Sequence, residues 1–176
     1  MIFTETPLPG AYIVDLELRT DDRGFFARAW CQDEFEQQGL NTRIVQCNMS
    51  YNHSVGTVRG LHYQKPPHAE VKLIRCTRGA IWDVIVDLRP DSATYKKWFG
   101  TELTAENRRM LYVPENFAHG YITLEPGTET FYQVSEFYSA EHEAGIRWND
   151  PAVAITWPTE PVVLSDKDAH HPAFLD

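Results

Sequence analysis

The sequence predicts an all-β fold, a sandwich or a barrel. Short apolar runs recur at close spacing and are cut by turn residues. The run at 81–88 alternates with a period of two. Helical patterning is confined to two short stretches. Many short strands at such spacing close into a barrel or sandwich rather than a βαβ sheet.

In chain order, Ala11–Leu18 reads as a strand, Asp21-Asp22-Arg23-Gly24 as the turn after it, and Phe25–Trp30 as a second strand. Asp33–Gln38, closed by Gly39, reads as a helix. Strands follow at Arg43–Tyr51, Thr57–Gln64, Val71–Thr77, Ala80–Leu88, Trp98–Leu103, Met110–Val113, His119–Leu124 and Thr130–Tyr138. Arg78-Gly79, Glu106-Asn107 and Glu125-Pro126-Gly127 are turn signals among them. Asp166–His170 reads as a second short helix. Within 81–88, Trp82, Val84, Val86 and Leu88 share one face, while Ile81, Asp83, Ile85 and Asp87 share the other. At least one face is therefore packed, and carboxylates sit on the other.

At 176 residues with no linker, repeat or low-complexity segment, the chain reads as one domain, 1–176. A 12% aromatic content supplies enough buriable surface to exclude disorder. A net charge of −9 argues against nucleic acid and anionic membrane as partners, because both require a basic footprint. It does not exclude a small anionic ligand held by local arginines. No apolar run is long enough to span a bilayer, and the first residues lack a secretory pattern. The 3 cysteines, Cys31, Cys47 and Cys76, are odd in number and widely spaced, which points to reduced thiols in the cytoplasm.

The densest chemistry lies in Gly56-Thr57-Val58-Arg59-Gly60-Leu61-His62-Tyr63-Gln64, followed by Lys72 and Arg75. A lone cation on a strand most simply faces solvent. A set of cations on consecutive barrel strands is harder to place that way, because an unpaired interior cation is costly. Arg59 and His62 are three apart, so a regular strand would put them on opposite faces. A bulge at Gly60 would redirect one of them. Val113-Pro114-Glu115-Asn116-Phe117-Ala118-His119-Gly120 reads as a turn, with Asn116 in the left-handed conformation, that delivers His119 onto the next strand. Tyr132 and Tyr138 sit on or near a late strand, where a phenol either packs or donates a proton.

These pieces resemble a cupin, a jelly-roll barrel. More closely, the chain resembles the dTDP-4-dehydrorhamnose 3,5-epimerase family. The resemblance rests on Asp-Asp-Arg-Gly-Phe-Phe at 21–26, Gln-Cys-Asn-Met-Ser at 46–50 and Thr-Val-Arg-Gly-Leu-His-Tyr-Gln-Lys-Pro-Pro at 57–67. It extends through Val-Lys-Leu-Ile-Arg at 71–75, Asp-Val-Ile-Val-Asp-Leu-Arg at 83–89 and Val-Pro-Glu-Asn-Phe-Ala-His-Gly at 113–120. Gly-Ile-Arg-Trp-Asn-Asp-Pro at 145–151 and Leu-Ser-Asp-Lys-Asp at 164–168 complete it.

The resemblance implies a cofactor-independent, cytoplasmic isomerase that acts on a nucleotide-linked 4-keto-6-deoxyhexose, chiefly dTDP-4-keto-6-deoxyglucose. It inverts C3, C5 or both, in deoxysugar biosynthesis. It implies His62 as general base, Asp168 as its paired carboxylate, Lys72 as the cation beside the enolate oxygen and Tyr132 as the acid on the opposite face. Arg23 and Arg59 match pyrophosphate or sugar contacts; Gln46, Asn48, His119, Tyr138 and Glu143 match other pocket positions. A homodimer is implied, with Arg23 or Phe25 lining the partner's pocket. The chain departs from the family pattern at Arg28, a candidate substrate-binding residue where the family carries a glutamate near the nucleotide, and at Glu70, where glutamine is common. The stretch around Tyr132 departs too, which leaves open a single-centre epimerase or another nucleotide.

Two rival classes remain. A metal-dependent cupin would recruit His62, His68, Glu70 and His119, but the chain lacks a His-x-His pair and Lys72 would repel a cation. A non-catalytic nucleotide-sugar-binding module would need no acid–base quartet.

Overall fold

The computed structural model describes residues 1–174. In chain order the strands are β1 (Ile2–Glu5), β2 (Tyr12–Asp15), β3 (Arg19–Asp21), β4 (Gly24–Phe26), β5 (Gln46–Asn52), β6 (Val58–Gln64) and β7 (Lys72–Arg78). They continue as β8 (Ala80–Asp87), β9 (Trp98–Thr104), β10 (Met110–Val113), β11 (Phe117–Thr123), β12 (Thr128–Val134) and β13 (Glu143–Gly145). The helices are α1 (Gln32–Gln37) and α2 (Asp166–Ala169). A six-stranded sheet runs β1-β2-β10-β7-β12-β5 and faces a five-stranded sheet, β13-β6-β11-β8-β9; β3 and β4 form a separate hairpin. The strand pairs are antiparallel, as a jelly roll of the cupin type requires.

Both sheets contribute to the central core. Ile74 and Cys76 of β7 and Leu111 and Val113 of β10 meet Ile81 and Ile85 of β8, Leu103 of β9 and Phe117 of β11. Each sheet is also covered outside. Phe35 of α1 packs on Val14, Leu73, Met110 and Tyr112, while Ile146 and Val153, with Trp157 and Phe174, cover Leu61, Val84, Val86 and Ala118. Strand β8 is therefore packed on both faces, and its carboxylates point inward. Asp87 bonds Arg89, Ser92 and Thr94, and Asp83 bonds His119. Paired in this way, buried charges are tolerated.

The boundaries differ from the sequence reading where tertiary contacts compete with strand propensity. The run 11–18 stops pairing at Asp15 and acquires an edge partner, β1, across the register Ile2↔Asp15 to Glu5↔Tyr12. The strand expected over 25–30 ends at Phe26, because Trp30 turns in to stack on Phe35 with ring centroids 6.5 Å apart. The strand expected over 130–138 ends at Val134, where the Ser135 hydroxyl accepts the backbone N–H of Val71.

Candidate active site

The bulge expected at Gly60 is present. The β6–β11 register shifts by one residue between the pairs His119↔His62 and Tyr121↔Arg59. Gly60 has φ +117°, and a Cβ there would lie 2.7 Å from both Gly120 Cα and the His119 carbonyl oxygen. A glycine is thus required twice over, for the backbone conformation and for the close approach of β11. The extra residue cancels the parity offset, so Arg59 and His62 both face the interior.

They open onto a cavity of about 470 Å³ between the sheets. Its walls carry His62, Arg59 and His119 from the five-stranded sheet and Lys72, Tyr132 and Ser50 from the six-stranded sheet, and the segment bearing Asp168 closes it. A second cavity of about 260 Å³ shares His62, Lys72 and Tyr132 and adds Gln46, Asn48, Tyr138 and Glu143. All candidate residues except Arg23 and Arg28 line one or both cavities. Arg23 pairs with Asp21 in the β3–β4 turn and is 89% exposed. Arg28 is held by Glu34 of α1 at 3.0 Å, outside both cavities of its own chain.

Asp168 reaches His62 because the C-terminal segment is pinned to the sheet. Val58 N donates to Val163 O at 2.9 Å, and Ser165 caps α2 by accepting Asp168 N at 3.1 Å. Asp168 Oδ1 then lies 2.5 Å from His62 Nε2, and its Oδ2 accepts Gly60 N at 3.3 Å. Burial alone would raise the Asp168 carboxyl; the bonds from His62 and Gly60 outweigh it and hold the group below the usual carboxylate range. With Nε2 engaged, the other ring nitrogen of His62 is left to accept a proton.

Across the cavity, Lys72 Nζ lies 3.1 Å from Glu70 Oε1 and 3.4 Å from His62 O. Burial raises the Tyr132 phenol, so it remains a proton donor near neutrality. His119 bonds the wholly buried Asp83 at 2.8 Å; burial pushes that carboxyl up against the opposing pull of His119 and Lys72. Arg59 is aimed by Asn52, which accepts its Nε at 2.7 Å. Tyr138 donates to Glu143 at 2.9 Å, and Glu143 also pairs with Lys167.

The four residues weighed as metal ligands have other commitments. His62 bonds Asp168, Glu70 bonds Lys72, His119 bonds Asp83, and His68 packs on His142 with ring centroids 4.4 Å apart. One other group, His62, Asp168 and His171, has its ligand atoms within 4.8 Å of one another. The 2.5 Å between His62 Nε2 and Asp168 Oδ1 is too short for two ligands of one ion, since ligands at ~2.0–2.2 Å from a tetrahedral ion sit roughly 3.3 Å or more apart.

Sequence reasoning did not select Tyr121 or His171. Tyr121 had a signal, because it shares the inward face of β11 with His119, two residues away. His171 had none, because its neighbour His62 is remote in the chain.

The model of the family described as dTDP-4-dehydrorhamnose 3,5-epimerase matches residues 5–176. A dTDP-4-dehydrorhamnose 3,5-epimerase of Sinorhizobium fredii is 46% identical over 157 residues, 89% of this chain and 80% of that protein. The crystal structure of the Bacillus anthracis dTDP-4-dehydrorhamnose 3,5-epimerase, with TDP and PPi bound, superposes with a TM-score of 0.95 at 47% identity, covering 98% of this chain and 99% of that one. The Legionella pneumophila dTDP-6-deoxy-D-glucose-3,5-epimerase, in complex with dTDP-4-keto-L-rhamnose, superposes at 0.92 with 35% identity, covering 99% and 94%. The chain belongs to the dTDP-4-dehydrorhamnose 3,5-epimerase family.

Proposed function

We propose that this protein inverts C3 and C5 of dTDP-4-keto-6-deoxyglucose by proton abstraction and return. The observation that carries the reading is the His62–Asp168 pair set across one cavity from Lys72 and Tyr132, which belong to the opposing sheet. The related proteins from Bacillus anthracis and Legionella pneumophila hold TDP and a dTDP-4-keto sugar, which supports the substrate class.

The 4-ketone acidifies the hydrogens on both neighbouring carbons. His62 takes one proton, and Asp168 stabilises the resulting imidazolium. The electrons of the broken C–H bond move onto the ketone oxygen, and the Lys72 ammonium offsets that charge. Tyr132 returns a proton to the same carbon from the opposite wall, which inverts it. Once His62 has released its proton to solvent and Tyr132 has regained one from it, repetition at the second carbon completes the reaction. Each cycle exchanges a proton for a proton and is redox-neutral, so the chemistry calls for no redox cofactor. Arg59, at the cavity rim, suits the diphosphate.

Arg23 enters this reading through a homodimer. The β3–β4 hairpin exposes Phe25 and Phe26 at 47% and 68%, and Met49 and Tyr51 on β5 are exposed as well. Pairing these surfaces across a two-fold axis would bring the hairpin to the partner's cavity. Among the described residues no helix is long and apolar enough to cross a membrane. A doubly charged nucleotide sugar is confined to the compartment that makes it, so we place the protein in the cytoplasm.

The experiment is NMR in deuterium oxide with dTDP-4-keto-6-deoxyglucose. Deuterium entering at C3 and C5 with inversion supports the reading. Entry at one carbon alone assigns a single-centre epimerase, and no entry at either overturns it.

A further inference from the structure

Behind His62 lies a second imidazole that the proposed reaction does not use. His171 follows α2 and meets His62 edge-on, with ring centroids 5.5 Å apart and planes at 73°. Its side chain is 8% exposed, and its Nε2 lies 3.4 Å from Asp168 Oδ1, the same oxygen that sits 2.5 Å from His62 Nε2. That nitrogen has no aligned hydrogen-bond partner among the described residues. The slot it occupies is specific. Gly145 is the register partner of His62 across β13 and β6, and a Cβ on Gly145 would overlap Cε1 and Nε2 of His171. The missing side chain at 145 makes the space in which the second ring stands beside the first.

We propose that His171 is a positioning residue for the proton-abstracting pair: its imidazole is a second claimant on Asp168 Oδ1 and limits how strongly that carboxylate draws a proton onto His62. A carboxylate beside an imidazole favours the imidazolium. The polar edge of a neutral ring 3.4 Å from the same oxygen offsets part of its charge without an aligned hydrogen bond and weakens that pull, so the base releases its proton more readily.

The groups around His171 keep it neutral in this role. Burial and the neighbouring His62 both disfavour its protonation, and they outweigh the attraction of Asp168. Lys167 adds a further positive charge but is paired with Glu143. Tyr63 of β6, Lys65 just beyond it, Glu143 of β13 and the adjacent His170 share an outer cleft with His171. His171 therefore acts as a neutral dipole beside Asp168 Oδ1, not as a second proton carrier. Replacing it with a ring that lacks the N–H leaves Asp168 wholly to His62, which then holds its proton to higher pH.

This inference rests on the epimerase reading, and the test separates the two. The pH dependence of kcat/KM for solvent exchange is compared in wild type, His171→Phe and His171→Gln. In His171→Phe the acid limb should move up by about half a pH unit, with KM above the limb unchanged within about two-fold. His171→Gln, which keeps an N–H in the slot, should keep the limb near its wild-type position. A uniform loss of rate with the limb unmoved marks a merely structural ring and overturns the proposal. Should His171→Phe not fold, Gly145→Ala displaces the imidazole without removing it; the same upward move is expected, and an unmoved limb overturns the proposal. A wild type without exchange refutes the epimerase reading instead. The pH midpoint of the His62 imidazole resonances in substrate-free protein then decides the present point: an upward move in the variant supports it, and no move overturns it.

Discussion

His62 and Asp168 stand 106 residues apart in the chain and meet at 2.5 Å, and everything proposed for the reaction turns on that contact. The histidine is carried by a sheet strand and the aspartate by the single turn of α2. Tight binding of the segment at 162–163 along Gly56 and Val58 is what joins them.

Removing either member should separate chemistry from binding. His62→Asn should abolish deuterium exchange at both carbons while nucleotide-sugar affinity stays within a few-fold. Asp168→Asn keeps the shape but loses the charge that favours the imidazolium, and should lower kcat by ~10²–10⁴-fold. Single-turnover exchange followed by NMR, with binding by calorimetry, checks both. A His62→Asn protein that still exchanges removes His62 from the mechanism.

Tyr132→Phe deletes one hydroxyl from the opposing wall. Exchange at a reacting carbon should survive while inversion falls, because the enolate still forms on the His62 side. Comparing deuterium content with product stereochemistry reads this directly. Equal loss of both would place the hydroxyl in enolate formation instead.

Gly60→Ala should be costly although it adds a single methyl group. The new Cβ meets backbone of β11 at 2.7 Å, and the φ of +117° is unfavourable for any L side chain. A loss of roughly 1–3 kcal/mol in stability from backbone strain is expected, together with a loss of activity, because Arg59 and His62 share a face only through this bulge. Urea unfolding and exchange assays measure the two effects. A variant with wild-type stability would mean that the register relaxes freely.

Asp87 gives the fold a pH dependence remote from the reaction. Burial would raise this carboxyl, but the bonds from Arg89, Ser92 and Thr94 prevail and depress it well below the usual range. A depressed folded-state carboxyl contributes stability above the unfolded value, ~3.9, and loses that contribution as pH falls below it. Wild type should therefore lose stability steeply between roughly pH 4 and pH 2. Asp87→Asn should be less stable at pH 7 and show a flatter acid slope. Urea midpoints across that range provide the comparison; parallel slopes would assign the acid sensitivity to other groups.

Much of the barrel was legible along the chain. Period-two alternation at 81–88 located β8 and its two faces, because a strand places alternate residues on opposite sides whatever surrounds it. Asn116, with φ 62°, takes the left-handed position read for it in the turn before His119. Gly60 carried its own signal, since two chemically useful residues of opposite parity flank a glycine. Short edge elements were not legible. Neither β1 nor β13 has enough alternation to stand out, and both are strands only because a neighbour offers hydrogen-bond partners.

By itself the sequence determined the all-β architecture and the bulge at Gly60, because strand periodicity and turn chemistry are local properties, and its resemblance to the family supplied the acid–base set proposed for the reaction. Only the tertiary structure decided which of those residues meet. It brought Asp168 to His62, set Glu70 against Lys72, left Arg23 and Arg28 outside the cavities of their own chain, and slid His171 into the space over Gly145. These relationships depend on contacts between segments far apart in sequence. Their formation is governed by burial and by the pairing of charges removed from water, and neither quantity can be read from any single stretch of the chain.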